Sequence, residues 1–244
     1  GSRPPHMMGT ALQQLGRLLA LLMISVAALQ LYFLGRTALM AHLDPASSTF
    51  QRTQALRILQ RDGRLAWNQT WMDLREMGSA LPRAVIASED AGFVDHQGLD
   101  WEAIDKARGR NERRSPERPM GGSTITQQLA KNLFLSGERT YWRKGQEAVI
   151  TWALEACLSK TRILELYLNT VEWGEGVYGA QAAAEHYFRV RPHELQALQA
   201  ARLAVMLPAP RRFERLPQSP YLSSRSETIV ARMPAVKLPT GVRP

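Results

Sequence analysis

The 244-residue sequence has one cysteine, Cys157, and a single thiol excludes an intramolecular disulfide framework and any cysteine-based metal cluster. Cys157 falls in an apolar helical pattern and is expected to be inert core. Acidic residues are the minority: 22 Asp and Glu against 31 Lys and Arg leave a net charge of +9, most of it from arginine. Such a balance suits nucleic acid, an anionic membrane surface or a phosphate-bearing substrate. Zinc-finger spacing, an RNA-recognition signature and basic-zipper heptads are all missing, so no nucleic acid partner is expected. A convincing alternating strand pattern is missing too, as is any internal repeat. What is present is helical periodicity, enough chain for one good core, and one long apolar run.

That run, at residues 18–35, reads LLALLMISVAALQLYFLG, without a charge, between Arg17 and Arg36. As a helix it is about 27 Å long, enough to cross the hydrocarbon core of a bilayer. Tyr32 and Phe33 stand at one end, where an interfacial aromatic belt would place them. A cleavable signal peptide usually has a shorter apolar region and a small-x-small site, and no clear site follows here. A buried core helix is the plain alternative. The expected organisation is a tail at 1–17 whose first six residues read as a non-native leader, a transmembrane helix at 18–35, a juxtamembrane region at 36–80 and a folded domain at 81–244. Flanking charge does not orient the span, because Arg3 and Arg17 precede it and Arg36 follows.

Chemistry is densest at Gly121-Gly122-Ser123-Thr124-Ile125-Thr126-Gln127-Gln128-Leu129-Ala130-Lys131-Asn132. Two glycines open a turn, and Ser123 or Thr124 can cap the helix that follows. A helix N-terminus offers an anion free N–H groups and a favourable dipole; an ordinary capped helix is the bland reading. Upstream, an apolar run at 81–87 leads into Glu89-Asp90-Ala91-Gly92-Phe93, with His96, Gly98 and Asp100 following. Carboxylates directly behind an apolar helical run either cap and pair locally or face a cleft. Residues 111–118 (NERRSPER) have no periodicity and read as a mobile surface loop.

Further helices are expected at 52–59, at 142–158, at 161–169 with Ile163, Leu164, Tyr167 and Leu168 inward, at 180–188, and from Pro192 through Leu207. In the second of these, Ala148, Val149, Trp152, Ala153, Ala156 and Cys157 form the apolar side. Ser224 and Glu227 read as a capping box that opens a last short helix. Trp67 and Trp71 suit either a membrane interface or core packing.

Four ordered blocks together resemble the peptidoglycan glycosyltransferases of family 51, which polymerise lipid II. The run from Glu89 through His96 and Gly98 to Asp100 resembles the first motif, EDxxFxxHxGxD, and the run from Gly121 to Asn132 the second. Arg143-Lys144-x-x-Glu147 resembles the third, and Lys160-x-x-Ile163-Leu164-Glu165-x-Tyr167-Leu168-Asn169 the fourth. A fifth block, usually LPNP followed by an aromatic, reads Leu207-Pro208-Ala209-Pro210 with Phe213, so Ala209 stands where the family has Asn. The resemblance runs from about residue 81 to 213. The Ser-x-x-Lys and Lys-Thr-Gly motifs of a transpeptidase are not found, which matches the monofunctional biosynthetic type. The resemblance implies a mainly α fold: a lysozyme-like helical glycosyltransferase domain with a smaller membrane-associated lobe, preceded by one N-terminal transmembrane helix. It also implies the inner (cytoplasmic) membrane, with the catalytic domain on the periplasmic side.

The implied reaction is attack by the 4-hydroxyl of one sugar on C1 of another, with release of a lipid diphosphate. A sugar hydroxyl is a poor nucleophile at neutral pH and needs a base within hydrogen-bond reach; Glu89 matches the family's base. The departing diphosphate needs cations and N–H donors at its oxygens, and the match assigns Lys131, Arg139, Arg143 and Lys144 to it. Glu147, the second catalytic carboxylate, could position those cations or a divalent metal, Mg or Mn; a one-turn salt bridge to Arg143 is the plain alternative. Ser123, Thr124, Gln127, Gln128 and Asn132 are implied to hydrogen-bond sugar or phosphate, while His96 and Asp100 read as structural. The implied partners are lipid II with its growing lipid-linked glycan chain, membrane lipids and cell-division proteins. Two rival classes are a lytic transglycosylase or other peptidoglycan-cleaving enzyme, which has no use for a diphosphate-binding cation cluster, and a non-catalytic membrane scaffold of the division machinery, which needs neither Glu89 nor Glu147.

Overall fold

A computed structural model describes residues 5–102, 105, 122–135 and 140–242, with side chains from Leu12 onward. Gly121, Arg139 and the expected loop at 111–118 lie outside these residues. Helix α1 (Pro5–Leu39) runs unbroken for 35 residues. Among the described residues it is the one helix long and apolar enough to cross a membrane, from Leu12 to Leu39. Its leucines from Leu12 to Leu31 are exposed, so it is not the buried core helix weighed above. Ser25 returns its hydroxyl to the Leu21 carbonyl, satisfying itself within the helix. Among the described residues its last turns meet the rest of the fold, where Phe33, and Met40 just past the helix end, join the core.

Helix α2 (Thr49–Asp62) is longer than its periodicity predicts, because Ser48 and Gln51 form a capping box ahead of it and Gly63, at φ 67, ends it in the left-handed region. Three short strands follow the sequence order β1 (Asn68–Gln69), β2 (Glu172–Gly174) and β3 (Val177–Tyr178). They pair as β1-β3-β2, with β1 parallel to β3 and β2 antiparallel to it. The sequence reading finds no strand, since two or three residues cannot display an alternation.

Further helices among the described residues include α3 (Ala80–Glu89), α4 (Ile125–Phe134), α5 (Tyr141–Cys157), α6 (Lys160–Thr170), α7 (Gly179–Phe188), α8 (Ala197–Met206), α9 (Pro210–Arg215) and α10 (Pro220–Arg232). Helix α3 packs on α8, which is backed by α10, while α4 lies against α5 and α6. The core between them includes Ile86, Phe93, Ile125, Leu129, Tyr167 and Trp173, all fully buried. Each such apolar side chain contributes about 1.5–3 kcal/mol relative to exposure, which makes the ends of α3 and α4 rigid platforms.

Several expectations are corrected. Pro192 opens only a single 3-10 turn, Pro192–Glu194, and the helix restarts at Ala197 after an extended Leu195. Ser224 lies inside α10, which begins at Pro220, so it caps nothing. Of the two placements open for the tryptophans, Trp71 takes core packing, half-buried under the Arg162 guanidinium, while Trp67 lies half-buried and tilted beside the Tyr178 ring. Cys157 is half-buried against the core.

The largest correction concerns α5. Its inward residues are Glu147, Ile150, Thr151 and Leu154. Val149 and Trp152, from the expected apolar side, point outward with Tyr141 (98% exposed) and Trp142 (90% exposed). The more apolar stripe of a helix turns inward only when water is what lies outside. A row of exposed aromatics of this kind marks a contact surface.

Candidate active site

Glu89 is the last residue of α3, behind the wholly buried Leu81, Val85 and Ile86. Its carboxylate accepts hydrogen bonds from Gln128 Nε2 at 3.0 Å and from Ser88 Oγ at 3.2 Å. Burial pushes the Glu89 carboxyl above its ordinary range, and the bonds from Gln128 and Ser88 offset part of that. The position adds to it: a carboxylate at a helix C-terminus faces the negative end of the dipole.

Gln128 is itself held. The Tyr167 hydroxyl, on α6, donates to Gln128 Oε1 at 2.9 Å. With its oxygen taken, the amide presents its NH₂ to Glu89. Burial lifts the Tyr167 phenol well above its usual range, so it stays protonated and remains a donor. The three side chains form one directed chain from α6 through α4 to α3. Sequence reasoning places Tyr167 in the core and misses this role. The available signal is general: a buried tyrosine hydroxyl needs a partner.

The neighbouring carboxylate does different work. Asp90 Oδ2 accepts the backbone N–H of Ile125 at 3.0 Å, at the start of α4, and Oδ1 meets His96 Nε2 at 2.8 Å. Gly98 N–H donates to His96 Nδ1. A nitrogen that accepts carries no proton, so Nε2 is the protonated one and donates to Asp90. Thr124 caps α4 by accepting the Gln127 N–H, Gln127 Oε1 accepts the Thr124 N–H in return, and the Thr124 hydroxyl donates to the Gly98 carbonyl. Thr124 and Gln127 are buried and serve the cap, whereas the family match expected them to contact substrate. Gly98 sits at φ +83, and a Cβ there would come within 2.6 Å of Thr151 Cγ2 on α5. The loop after Glu89 is thus clasped between the α4 cap and α5.

On α5, Glu147 is buried and accepts from Arg143 Nη1 at 3.2 Å and from Lys144 Nζ. Thr140 caps the helix by accepting the Arg143 N–H. Two cations on one carboxylate leave the group net positive. Among the described residues Arg143 Nε is buried without a hydrogen-bond partner, an unused donor of the kind that calls for an explanation. Lys131 is exposed on α4, Asn132 is buried one turn beyond Gln128, and Ser123 is half-buried just ahead of the cap. The structure therefore joins Glu89 to Gln128, and Arg143 and Lys144 to Glu147, on helices that pack together.

Residues 57–234 match the sequence pattern of the transglycosylase family, described as "Transglycosylase". The chain belongs to that family. It is 47% identical over 220 residues to a protein of Paraburkholderia xenovorans named biosynthetic peptidoglycan transglycosylase, covering 90% of this chain and 91% of the relative. A protein of the same name from Burkholderia thailandensis is 50% identical over 214 residues, 88% of this chain and 83% of the relative. One from Bordetella avium is 48% identical over 202 residues, covering 82% and 84%.

Within this transglycosylase the fourth block is largely a clasp. Asn169 bonds both the N–H and the carbonyl of Met72, and Glu165 accepts the Leu74 N–H. Ala209 occupies the N-cap of α9 and offers no side-chain cap; the N–H groups of Arg212 and Phe213 turn to its backbone carbonyl instead. An Asn there could cap the helix directly.

Among the described residues, the candidate donor groups for the divalent cation raised as an expectation already bond to protein groups. Asp90, His96 and Asp100 place potential ligand atoms within 4.8 Å of one another. Yet both His96 nitrogens and both Asp90 oxygens are already engaged by protein groups. Both Glu147 oxygens are engaged by Arg143 and Lys144.

Proposed function

We propose that this transglycosylase polymerises lipid II into the glycan strands of peptidoglycan. The observation that carries the reading is Glu89: a carboxylate made more basic by burial, aimed by the Gln128 amide, on a rigid helix end packed near a separate cationic group. Glu89 takes the proton of the acceptor 4-hydroxyl as its oxygen attacks C1 of the donor sugar. The C1–oxygen bond to the diphosphate breaks, and Arg143, Lys144 and Lys131 hold the charge that develops on the leaving oxygens. The idle Nε–H of Arg143 is a donor such an oxygen would satisfy. Glu147 keeps Arg143 and Lys144 together and limits their mutual repulsion. In this reading Arg139, Ser123 and Asn132 complete the donor site, and α1 anchors the chain with its catalytic domain on the periplasmic side of the inner membrane. The outward row of α5 is the membrane-associated face of the smaller lobe.

Incubating the full chain with labelled lipid II in detergent should give polymer, while purified sacculi stay intact. Sacculus digestion with lipid II untouched would overturn the reading in favour of a lytic enzyme. Lys131→Ala should slow polymerisation about 10- to 100-fold, the worth of one charged hydrogen bond. Lys131→Arg should restore only part, since a planar fork does not replace a compact ammonium.

Tyr167→Phe tests the chain that aims Gln128. Without the phenol the amide can flip and withdraw the bond that lowers the Glu89 carboxyl, so the carboxyl should rise further. Because the base acts ionised, the acid limb of the rate profile should move to higher pH by about 0.5–1 unit, one hydrogen bond's worth. An unchanged acid limb would remove Tyr167 from the mechanism.

A further inference from the structure

Gln30 lies inside the apolar span, where an unpaired amide is costly because hydrocarbon offers no hydrogen bonds. The structure pairs it outside its own helix. Gln30 Nε2 donates to Gln146 Oε1 at 2.9 Å, and Gln146 Nε2 donates back to Gln30 Oε1 at 3.0 Å. This closed amide pair joins residues 116 apart in sequence. Gln146 directly precedes Glu147 on α5 and lies three residues after Arg143.

The pair belongs to a longer seam. Gln30, Phe33 and Thr37 of α1, with Met40 just past its end, turn inward at helical spacing along one stripe. Phe33 meets the Phe134 ring, at the end of α4, edge-on at 5.4 Å. The end of α1 is fastened by Arg162, whose Nε donates to the Met40 carbonyl while its Nη2 pairs with Asp44. A cation at a helix C-terminus is favoured by the dipole as well. So α1 is not a tether joined by a loose linker. It is docked on the two helices that carry Gln128 and the Arg143–Glu147 group.

We infer that the Gln30–Gln146 pair is a clamp that fixes the depth and rotation of α5 relative to the bilayer, so that Arg143, Lys144 and Glu147 stand at the level of a lipid's diphosphate. Gln30 and Gln146 are then positioning residues for the donor. The inference rests on reading that group as the diphosphate site. Arg143 and Lys144 keep their bonds to Glu147 within α5 and Glu89 sits on α3, so loss of the clamp shifts the depth of the site without dismantling it and should weaken donor binding while sparing the chemical step.

The test uses the full chain in liposomes containing lipid II, with Gln30→Leu, Gln146→Leu and the double variant. Each single variant should raise KM for lipid II about 3- to 20-fold, the span measured for hydrogen bonds between helices in bilayers. kcat should stay near the parent's value. The double variant should be no worse than the poorer single, because either change already opens the clamp. In detergent micelles, which set no bilayer depth, the KM differences should shrink. Depth can be read without activity from a nitroxide at Gly145→Cys in a Cys157→Ser background; a Cβ at Gly145 meets nothing within 4 Å. Gln146→Leu should move that label by about half a helical turn, on the order of 3 Å.

An unmoved label with an unchanged KM would overturn the clamp. So would a fall in kcat and folded fraction together at constant KM, which would make the pair merely structural. Arg143→Ala is the control for the underlying reading. If it polymerises like the parent, the diphosphate assignment fails, and the label still decides whether the clamp exists.

Discussion

Glu89→Gln should abolish nearly all polymerisation, lowering kcat about 10²–10⁴-fold, the usual contribution of a general base. Binding of lipid II should change little, because Gln keeps the shape and can still accept the Gln128 N–H. Stability should move the other way. Burial raises the Glu89 carboxyl in the folded state, so between its unfolded and folded values the native protein binds the extra proton. Stability therefore falls as pH rises through that window, and the penalty is complete above it. The Gln variant carries no such penalty and should melt at the same temperature as the parent, or higher, at neutral pH. The matching activity signature in the parent is an acid limb above the ordinary glutamate range, since only the ionised base works. Turnover of the Gln variant within a few-fold of the parent would remove Glu89 as the base.

Arg143→Ala should cost about 10²–10³ in kcat, the range for removing one donor from a site that stabilises developing charge. The substitution takes away two things together: the guanidinium that Glu147 accepts, and the unused Nε–H. It also leaves Glu147, 3% exposed, with Lys144 as its remaining partner in the pair. Arg143→Lys keeps the charge and drops the fork, so it should recover binding better than turnover. The measurement is kcat and KM on lipid II for the three forms. If Ala and parent share one kcat, charge on the leaving oxygens is held elsewhere.

How much of this was legible follows from range. Glu89, Arg143, Lys144 and Glu147 stood out because charged residues at fixed short spacings survive in the linear order. The bodies of α3, α6 and α7 were equally plain, since their apolar residues repeat at the helical period. Tyr167 and Gln128 are 39 residues apart and Gln30 and Gln146 are 116 apart, and no local pattern encodes such pairs. Thr124 and Gln127 illustrate a different limit. A capping box and a polar substrate contact use the same side chains, and only the Gly98 carbonyl and the burial of both residues separate the two. The face of α5 was misjudged because an apolar stripe announces an apolar neighbour without saying which one. The three strands were invisible through brevity.

The outward row of Tyr141, Trp142, Val149 and Trp152 on α5 has a practical side. Cutting away α1 removes the obvious greasy segment but leaves these four side chains on the surface and uncovers the Phe134 ring beneath Phe33. An anchorless fragment would therefore remain sticky. It would self-associate in plain buffer and stay monodisperse only with a mild surfactant over that face, so trimming the anchor to gain a freely soluble enzyme would defeat its purpose.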